Sequence, residues 1–169
     1  MEKKGGRKMK QKAFTLLELV FVIVIIGILS ALAIPSFQTN VLQQATEQVA
    51  SHIRYAQHLA IVDDKFSPTD QTYQNKRWRF TMNGNTYTVT DSTDTAIDPL
   101  TSENISVDLE DAFNTTATDA VIQFDHLGRP YNNGGLLAAN ATMTLTHDEG
   151  TATITIHRET GYVQVVYNN

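Results

Sequence analysis

The hydrophobic residues of this chain follow three patterns in succession, and each pattern predicts a different element. From residue 14 to residue 34 the chain holds 21 residues, of which Glu18 is the only charged one. At ~1.5 Å rise per residue such a helix would be about 31 Å long, enough to cross the hydrocarbon core of a bilayer. A helix of a soluble core would show a polar face, and this run shows none. The segment 14–34 is therefore predicted to be a transmembrane helix.

From residue 35 to residue 62 the pattern becomes amphipathic. Apolar residues recur at helical spacing, and most of the Gln, Glu and Arg residues lie off that stripe. The stripe comprises Phe37, Val41, Ala45, Val49, Ile53, Ala56 and Ala60. The segment 35–62 is therefore predicted to continue the first helix and to pack one face on a globular domain. Pro35 stands at the junction, where it would kink the helix.

From residue 63 onwards the period changes to two, which indicates β-strands. Trp78, Phe80 and Met82 alternate with polar residues, and Asn83-Gly84 then supplies a hairpin turn. Further short strands are predicted near 105–109, 120–124, 143–147, 152–156 and 162–167. The short turns between them favour antiparallel pairing, with a meander in the last three strands. The predicted fold class is α+β, in which a long N-terminal helix packs on an antiparallel β domain, 63–169.

Charge gives the apolar segment a direction across the membrane. Residues 1–13 hold six of the 13 Lys and Arg residues and one of the 18 acidic residues. Basic residues beside a spanning segment stay in the cytoplasm, so the chain after residue 34 is predicted to be exported.

Without 1–13 the chain keeps 7 basic and 17 acidic residues, a formal charge of −10. So acidic a chain lacks the basic surface that nucleic acid binding requires, and nucleic acid is not expected as a partner.

Glu18 is the residue that the membrane prediction leaves unexplained. An ionisable group inside a spanning helix costs free energy and is by default a candidate functional residue. The alternative is an interfacial carboxylate that reaches the lipid headgroups.

The N-terminal segment resembles that of type IV pilins and type II secretion pseudopilins. The resemblance rests on the basic leader, Ala13-Phe14, Glu18, the apolar run and Pro35. It implies that a prepilin peptidase removes residues 1–13 by cleavage between Ala13 and Phe14, and that the new Phe14 amine is methylated. The family normally has Gly before the cleaved bond. Ala13 keeps a small residue there, so processing is still expected.

The same resemblance makes Glu18 and Pro35 assembly residues. In a filament the Phe14 amine would pair with a Glu18 carboxylate, and the cost of an unpaired charge in apolar surroundings would select the axial register. The implied partners are the prepilin peptidase, other pilin or pseudopilin subunits, an inner-membrane assembly platform and membrane lipid. The implied location is the bacterial inner membrane in a single pass, with the N-terminus cytoplasmic and the β domain periplasmic, and then the filament.

A weaker resemblance covers the β domain. Phe124-Asp125 with Gly128-Arg129-Pro130, then Ile154-Thr155-Ile156 with Thr160-Gly161-Tyr162-Val163, resemble the C-terminal domain of H-type minor pseudopilins and FimT-like minor pilins. This resemblance implies a β-sandwich and a minor subunit that starts or tips a secretion pseudopilus or a type IV pilus. The sequence does not separate these two machines.

Two alternatives from other classes stay open. Some FimT-like pilins capture DNA through C-terminal arginines, but residues 161–169 hold none here. The arginines considered for DNA capture are instead Arg77, Arg79, Arg129 and Arg158, which would have to cluster in space. The second alternative is a membrane-anchored periplasmic binding domain that does not assemble.

Neither an enzyme nor a cofactor or metal site is predicted. The chain has no cysteine, which excludes disulfides and thiolate chemistry. His52 and His58 do not share a helical face, and His147 and His157 are expected at opposite ends of neighbouring strands. The loop with Asp91, Asp94 and Asp98 offers oxygen ligands for calcium, but its spacing does not match an EF-hand, and a solvated loop is favoured.

Overall fold

A computed structural model describes residues 15–33, 40–70, 72–133 and 135–168 of the chain. The chain forms two compact units, Met1–Thr39 and Asn40–Asn169. In the first unit the structure describes Thr15 and helix α1, Leu16–Ala33. None of the helices in the described part of the chain combines the length and the apolar character needed to cross a membrane.

Helix α2 spans Val41–Val62, and its first turn is capped from two directions. The side chain of Asn40 accepts a hydrogen bond from the Gln43 N–H at 2.8 Å, as a residue before a helix commonly does. Glu149 reaches the same turn from a distant β-hairpin and accepts the Leu42 N–H at 2.9 Å. The predicted continuity between the two helices falls on residues 34–39, which lie outside the described residues.

Ten strands follow α2 in the described residues. They are β1 Arg79–Asn83, β2 Thr86–Thr90, β3 Ser106–Asp108, β4 Asn114–Ala117, β5 Val121–Phe124, β6 Pro130–Asn132, β7 Gly135–Leu136, β8 Ala141–His147, β9 Gly150–Ile156 and β10 Val163–Asn168. They form a six-stranded sheet in the order β3-β2-β1-β5-β6-β7 and a four-stranded sheet in the order β10-β9-β8-β4. Every pairing is antiparallel. The predicted meander of the last three strands, β8 to β10, is confirmed.

Three of the strands lie outside the segments that the sequence predicted as strands. Strand β4 has polar or small residues on both faces, because it is the last strand of its sheet and is mostly exposed. Strands β6 and β7 are three and two residues long and contain Pro and Gly. Strands so short have no period to detect.

The core lies between α2 and the two sheets. Helix α2 contacts strands of both sheets, β1, β2 and β5 in one and β8, β9 and β10 in the other. Its buried side chains are Leu42, Thr46, Val49, Ala50, His52, Ile53, Ala56 and Ala60. The apolar ones among them join one cluster with Phe80, Phe124 and Ile154, in which each large apolar side chain contributes roughly 1.5–3 kcal/mol. The predicted α+β class is confirmed.

Candidate functional site

The first turn of α1 holds the predicted assembly residue Glu18. Thr15 precedes the helix, and its hydroxyl oxygen accepts the Glu18 N–H at 3.2 Å, while its carbonyl accepts the Leu19 N–H at 3.2 Å. Thr15 is therefore the cap of α1, a role that the sequence analysis missed. The spacing Thr-x-x-Glu, which is typical of a helix start, was the available signal. Glu18 thus lies where the helix dipole favours a negative charge.

Helix α1 has an apolar surface on all sides. Its large side chains from Leu16 to Leu29 are exposed within the described structure, with Leu16 at 81% and Phe21 at 65%. An apolar surface of this size marks a site of contact with protein or lipid. Glu18 is the only acidic residue in that helix and would need a cationic partner in such surroundings. Ala13, Phe14 and Pro35 lie outside the described residues.

A buried polar group in the second unit joins α2 to the six-stranded sheet. His52 Nδ1 lies 2.9 Å from the Tyr87 hydroxyl, and His52 Nε2 lies 3.4 Å from an Asp98 carboxylate oxygen. Burial and the nearby Asp98 raise the pKa of the Tyr87 hydroxyl. This arrangement connects three segments of the fold, which are α2, β2 and the loop that holds Asp98.

The acidic residues considered as calcium ligands are occupied by protein groups. One oxygen of Asp91 accepts the N–H groups of Thr93 at 2.6 Å and Asp94 at 2.7 Å, and the other lies 3.5 Å from the Lys65 ammonium. Burial raises the pKa of Asp91, but these N–H donors outweigh it, so the pKa lies below its ordinary value. Asp98 is engaged in the histidine contact above. Among the described residues no cluster of three or more His, Cys, Asp or Glu could hold a metal ion.

Asp125 forms the turn between β5 and β6. One carboxylate oxygen accepts the N–H groups of Leu127 at 3.0 Å and Arg129 at 2.9 Å, and the other accepts the Arg129 guanidinium at 2.8 Å. The side chain of Asp125 is 3% exposed. Burial raises its pKa, but the three donors outweigh burial and hold the pKa below its ordinary value. This carboxylate organises a turn.

Two of the four arginines considered for DNA capture meet at one tyrosine. The Arg77 guanidinium lies over the Tyr131 ring at 4.0 Å and the Tyr73 ring at 5.1 Å. Arg129 donates to the Tyr131 hydroxyl at 3.3 Å. Arg77 is 6% exposed, and Arg129 already pairs with Asp125. DNA capture there would depend on one buried cation and one that is paired.

The other two arginines are engaged elsewhere. Arg79 donates to the backbone carbonyl of Asn75. Arg158 pairs with Glu159 at 2.8 Å and donates to the carbonyl of Ala138 at 2.7 Å. The structure does not bring Arg158 into the group around Tyr131.

Comparison with known proteins gives two kinds of match. Residues 8–34 match the family pattern described as the prokaryotic N-terminal methylation motif. The chain is similar to the type IV narrow pilus major component PilA5 of Thermus thermophilus, with 43% identity over 52% of this chain and 78% of that protein. It is also similar to the type IV major fimbrial protein FimA of Dichelobacter nodosus, with 41% identity over 34% of this chain and 39% of that protein. No solved structure matches the chain.

Proposed function

Since the chain belongs to the type IV pilin family, we propose that it is a minor pilin-like subunit of a type IV pilus or a type II secretion pseudopilus. The observation that carries the proposal is the methylation motif at 8–34, which in this chain covers Glu18 and the whole of α1, an apolar helix with exposed side chains. The proposed role is mechanical rather than catalytic.

The first step is processing at the inner membrane. The prepilin peptidase cleaves between Ala13 and Phe14, and the new amine of Phe14 is methylated. The matched motif spans both residues, which supports this assignment. Cleavage removes six basic residues and one acidic residue, so the subunit becomes more negative by five charges.

In the second step the subunit resides in the inner membrane before it is assembled. The apolar segment 14–34 crosses the inner membrane once, with the leader in the cytoplasm and the second unit in the periplasm. The basic leader supports this orientation.

The third step is transfer into the filament by the assembly platform. The apolar side chains of α1 exchange lipid for the helices of neighbouring subunits, and the Glu18 carboxylate pairs with a Phe14 amine. A subunit in the wrong axial register would leave both charges unpaired in apolar surroundings, where an unpaired charge is strongly destabilising.

The names of the relatives favour a second candidate, a major subunit that builds the filament shaft. Both relatives are named as major proteins of type IV pili or fimbriae. The resemblance of residues 124–163 to minor pseudopilins favours the first candidate. Quantitative mass spectrometry of sheared filaments distinguishes them. A minor subunit contributes a few copies per filament, and a major subunit contributes most of the mass.

The processing step is tested by measuring the N-terminal mass of the protein from cells with and without prepilin peptidase. We expect loss of residues 1–13 and one added methyl group, only where the peptidase is present. An intact leader in both strains would contradict the proposal and favour an anchored domain that does not assemble.

Glu18→Gln tests the assembly step, because it keeps the size of the side chain and removes its charge. We expect normal cleavage and a strong loss of the subunit from purified filaments. Glu103→Gln is the matched control, since it removes an exposed carboxylate in the second unit. Equal incorporation of both variants would show that the Glu18 charge plays no part in assembly.

A further inference from the structure

The open edge of β10 differs from the other three sheet edges in the described structure. The edge strands β3, β7 and β4 have three, two and four residues. Strand β10 has six residues, Val-Gln-Val-Val-Tyr-Asn, without a charge or a proline. Sheet edges are normally kept short or protected by charges, prolines or bulges, because their unpaired backbone groups pair with other strands. Strand β10 carries none of these protections within its length.

The turn before β10 fixes which backbone groups face the open edge. The His157 N–H donates to the Tyr162 carbonyl at 2.9 Å, and the Gly161 N–H donates to the His157 carbonyl at 2.7 Å. Hydrogen-bonded pairs alternate along an antiparallel ladder, so Gln164 and the two alternate residues after it bond to β9. The peptide groups of Val163, Val165 and Tyr167 therefore point away from β9.

One of these outward groups already has a partner. The Val163 carbonyl accepts Arg54 Nη2 at 3.2 Å. In the described part of the chain, no hydrogen bond reaches the outward N–H and C=O groups of Val165 and Tyr167. These four groups are open to pairing with a further strand.

The side chains of β10 divide into two rows. Val163, Val165 and Tyr167 face the core, and the Tyr167 hydroxyl donates to Glu47 on α2 at 3.0 Å. The outer row is Gln164, Val166 and Asn168, all exposed. The outer row is neutral, in a chain whose formal charge is −10 without residues 1–13.

We propose that β10 pairs antiparallel with β10 of a second copy of this chain, around a twofold axis at Val166. In this register Val165 of each copy exchanges both backbone hydrogen bonds with Tyr167 of the other, so all four open groups are satisfied. Val166 then faces Val166 of the second copy in a non-hydrogen-bonded pair, where side chains approach most closely. Gln164 lies opposite Asn168 of the second copy, and these two amides are able to hydrogen-bond to each other.

The pattern of charge favours a second copy as the occupant. When two copies of β10 pair around a twofold axis, each outer residue lies opposite one defined residue of β10 in the second copy. A charged residue at the axis would lie opposite the identical residue of the second copy, and the two like charges would repel each other. The outer row of β10 avoids this repulsion at all three positions. The outer row therefore provides an uncharged contact surface between two acidic subunits.

This contact is separate from the filament contacts proposed above. A twofold contact closes on two copies, whereas a helical filament repeats a head-to-tail contact without closing. The paired copies therefore belong to two neighbouring filaments or to the pool of subunits before assembly. The contact does not depend on Glu18 or on leader cleavage.

Single cysteines in the full chain test the register, because the natural chain has none. Facing side chains of such a pair have Cβ atoms roughly 4.5–5.5 Å apart, close to the separation that a disulfide needs. In detergent micelles under mild oxidation we expect Val166→Cys to form a disulfide-linked dimer. Thr116→Cys, which is exposed on the β4 edge, is the matched control and should stay monomeric. Equal cross-linking of the two variants would overturn the proposal.

A second pair of variants tests the same register from its flanks. A mixture of Gln164→Cys and Asn168→Cys should cross-link, while Gln164→Cys alone should not. At ~3.4 Å per residue, two copies of position 164 lie roughly 14 Å apart along the strands. Cross-linking of Gln164→Cys alone at the rate of the mixture would rule out this register.

Charge exchange at the axis provides a test without cysteine. Val166→Lys places like charges opposite each other, so the dimer seen by sedimentation in micelles should be lost. A mixture of Val166→Lys with Val166→Glu should restore it. Val166 is exposed on the outer row, so thermal unfolding should be unchanged in both variants. A dimer that persists in Val166→Lys alone would contradict the proposal.

Repeating the cross-linking in Glu18→Gln separates failure of this contact from failure of filament assembly.

Discussion

At the scale of single residues, the buried polar side chains hold together segments that the apolar core does not fix. Asp125 acts within a single turn, where three donors converge on its carboxylate. Its lowered pKa means that the charged form stabilises the folded state. This contribution is complete above the pKa of the unfolded chain, near 4, and is lost as the pH falls through the lower folded value.

Asp125→Asn should therefore lower the free energy of unfolding by about 2 kcal/mol at pH 7, the usual scale for hydrogen bonds to a charged group. The difference between wild type and variant should shrink as the pH falls below about 4, because the wild-type carboxylate becomes protonated there. Urea unfolding of the full chain in micelles between pH 3 and pH 7 measures both quantities. A pH-independent difference would show that the charge of Asp125 contributes nothing.

The contact between His52 and Tyr87 is expected to stabilise the attachment of α2. Tyr87→Phe keeps the ring in the core and removes the hydroxyl, which leaves His52 Nδ1 buried without that partner. A buried polar atom without a hydrogen bond costs about 1–3 kcal/mol, and unfolding should become easier by that amount. Tyr162→Phe is the control, because Tyr162 is 63% exposed. Equal unfolding midpoints for the two variants would contradict the assigned role.

At the scale of elements, two glycines with similar backbone conformations have different surroundings. Gly84 lies in the β1–β2 hairpin with φ +58°, and a Cβ there would meet no atom within 4 Å. Gly161 lies before β10 with φ +70°, and a Cβ there would collide with the Gly128 carbonyl oxygen and the Gln57 side chain. Gln57 itself donates to that carbonyl at 2.7 Å. Gly161 therefore allows the two turns and α2 to approach one another.

Comparison of Gly161→Ala with Gly84→Ala separates backbone strain from steric collision. Gly84→Ala should cost roughly 1–2 kcal/mol, the penalty of a left-handed conformation with a side chain. Gly161→Ala should cost clearly more, because backbone atoms have to move as well. Thermal and urea unfolding of both variants measure the difference. Equal losses would show that the approach at Gly161 is easily relaxed.

Helix α2 depends on a distant element for its start. Glu149, in the turn between β8 and β9, accepts a hydrogen bond from Leu42 across 107 positions of sequence. Asn40, by contrast, caps the same helix locally. The β-hairpin therefore completes the first turn of the helix that it packs against.

At the scale of the whole molecule, charge sets how copies of the subunit meet. Two chains that each carry −10 without residues 1–13 repel each other, and this repulsion is screened over about 10 Å at 0.1 M salt. Dimerisation through β10 should therefore increase as salt rises. The mixed pair of Val166→Lys and Val166→Glu should respond less, because salt also screens its attraction at the axis. Sedimentation across a salt series measures both trends. If dimerisation of the wild type fell as salt rises, that result would contradict pairing of two acidic subunits through an uncharged edge.

Patterns local in sequence determined much of this protein. The apolar run, the basic leader and the Thr-x-x-Glu spacing are readable without a structure, because neighbouring residues alone create them. Alternation of period two located most of the longer strands, and short turns implied the meander from β8 to β10. Strand β4 was not predicted from the sequence, because an exposed edge strand has no apolar face and therefore no detectable alternation of apolar and polar residues.

Only the tertiary structure decided which distant segments meet. It placed His52 against Tyr87, joined Glu149 to the start of α2, and collected Arg77 and Arg129 at Tyr131. It also left β10 at a sheet edge, with two residues whose peptide groups have no strand beside them. The sequence could not determine these features, because they depend on strand order and helix placement, which are set by packing of the whole core.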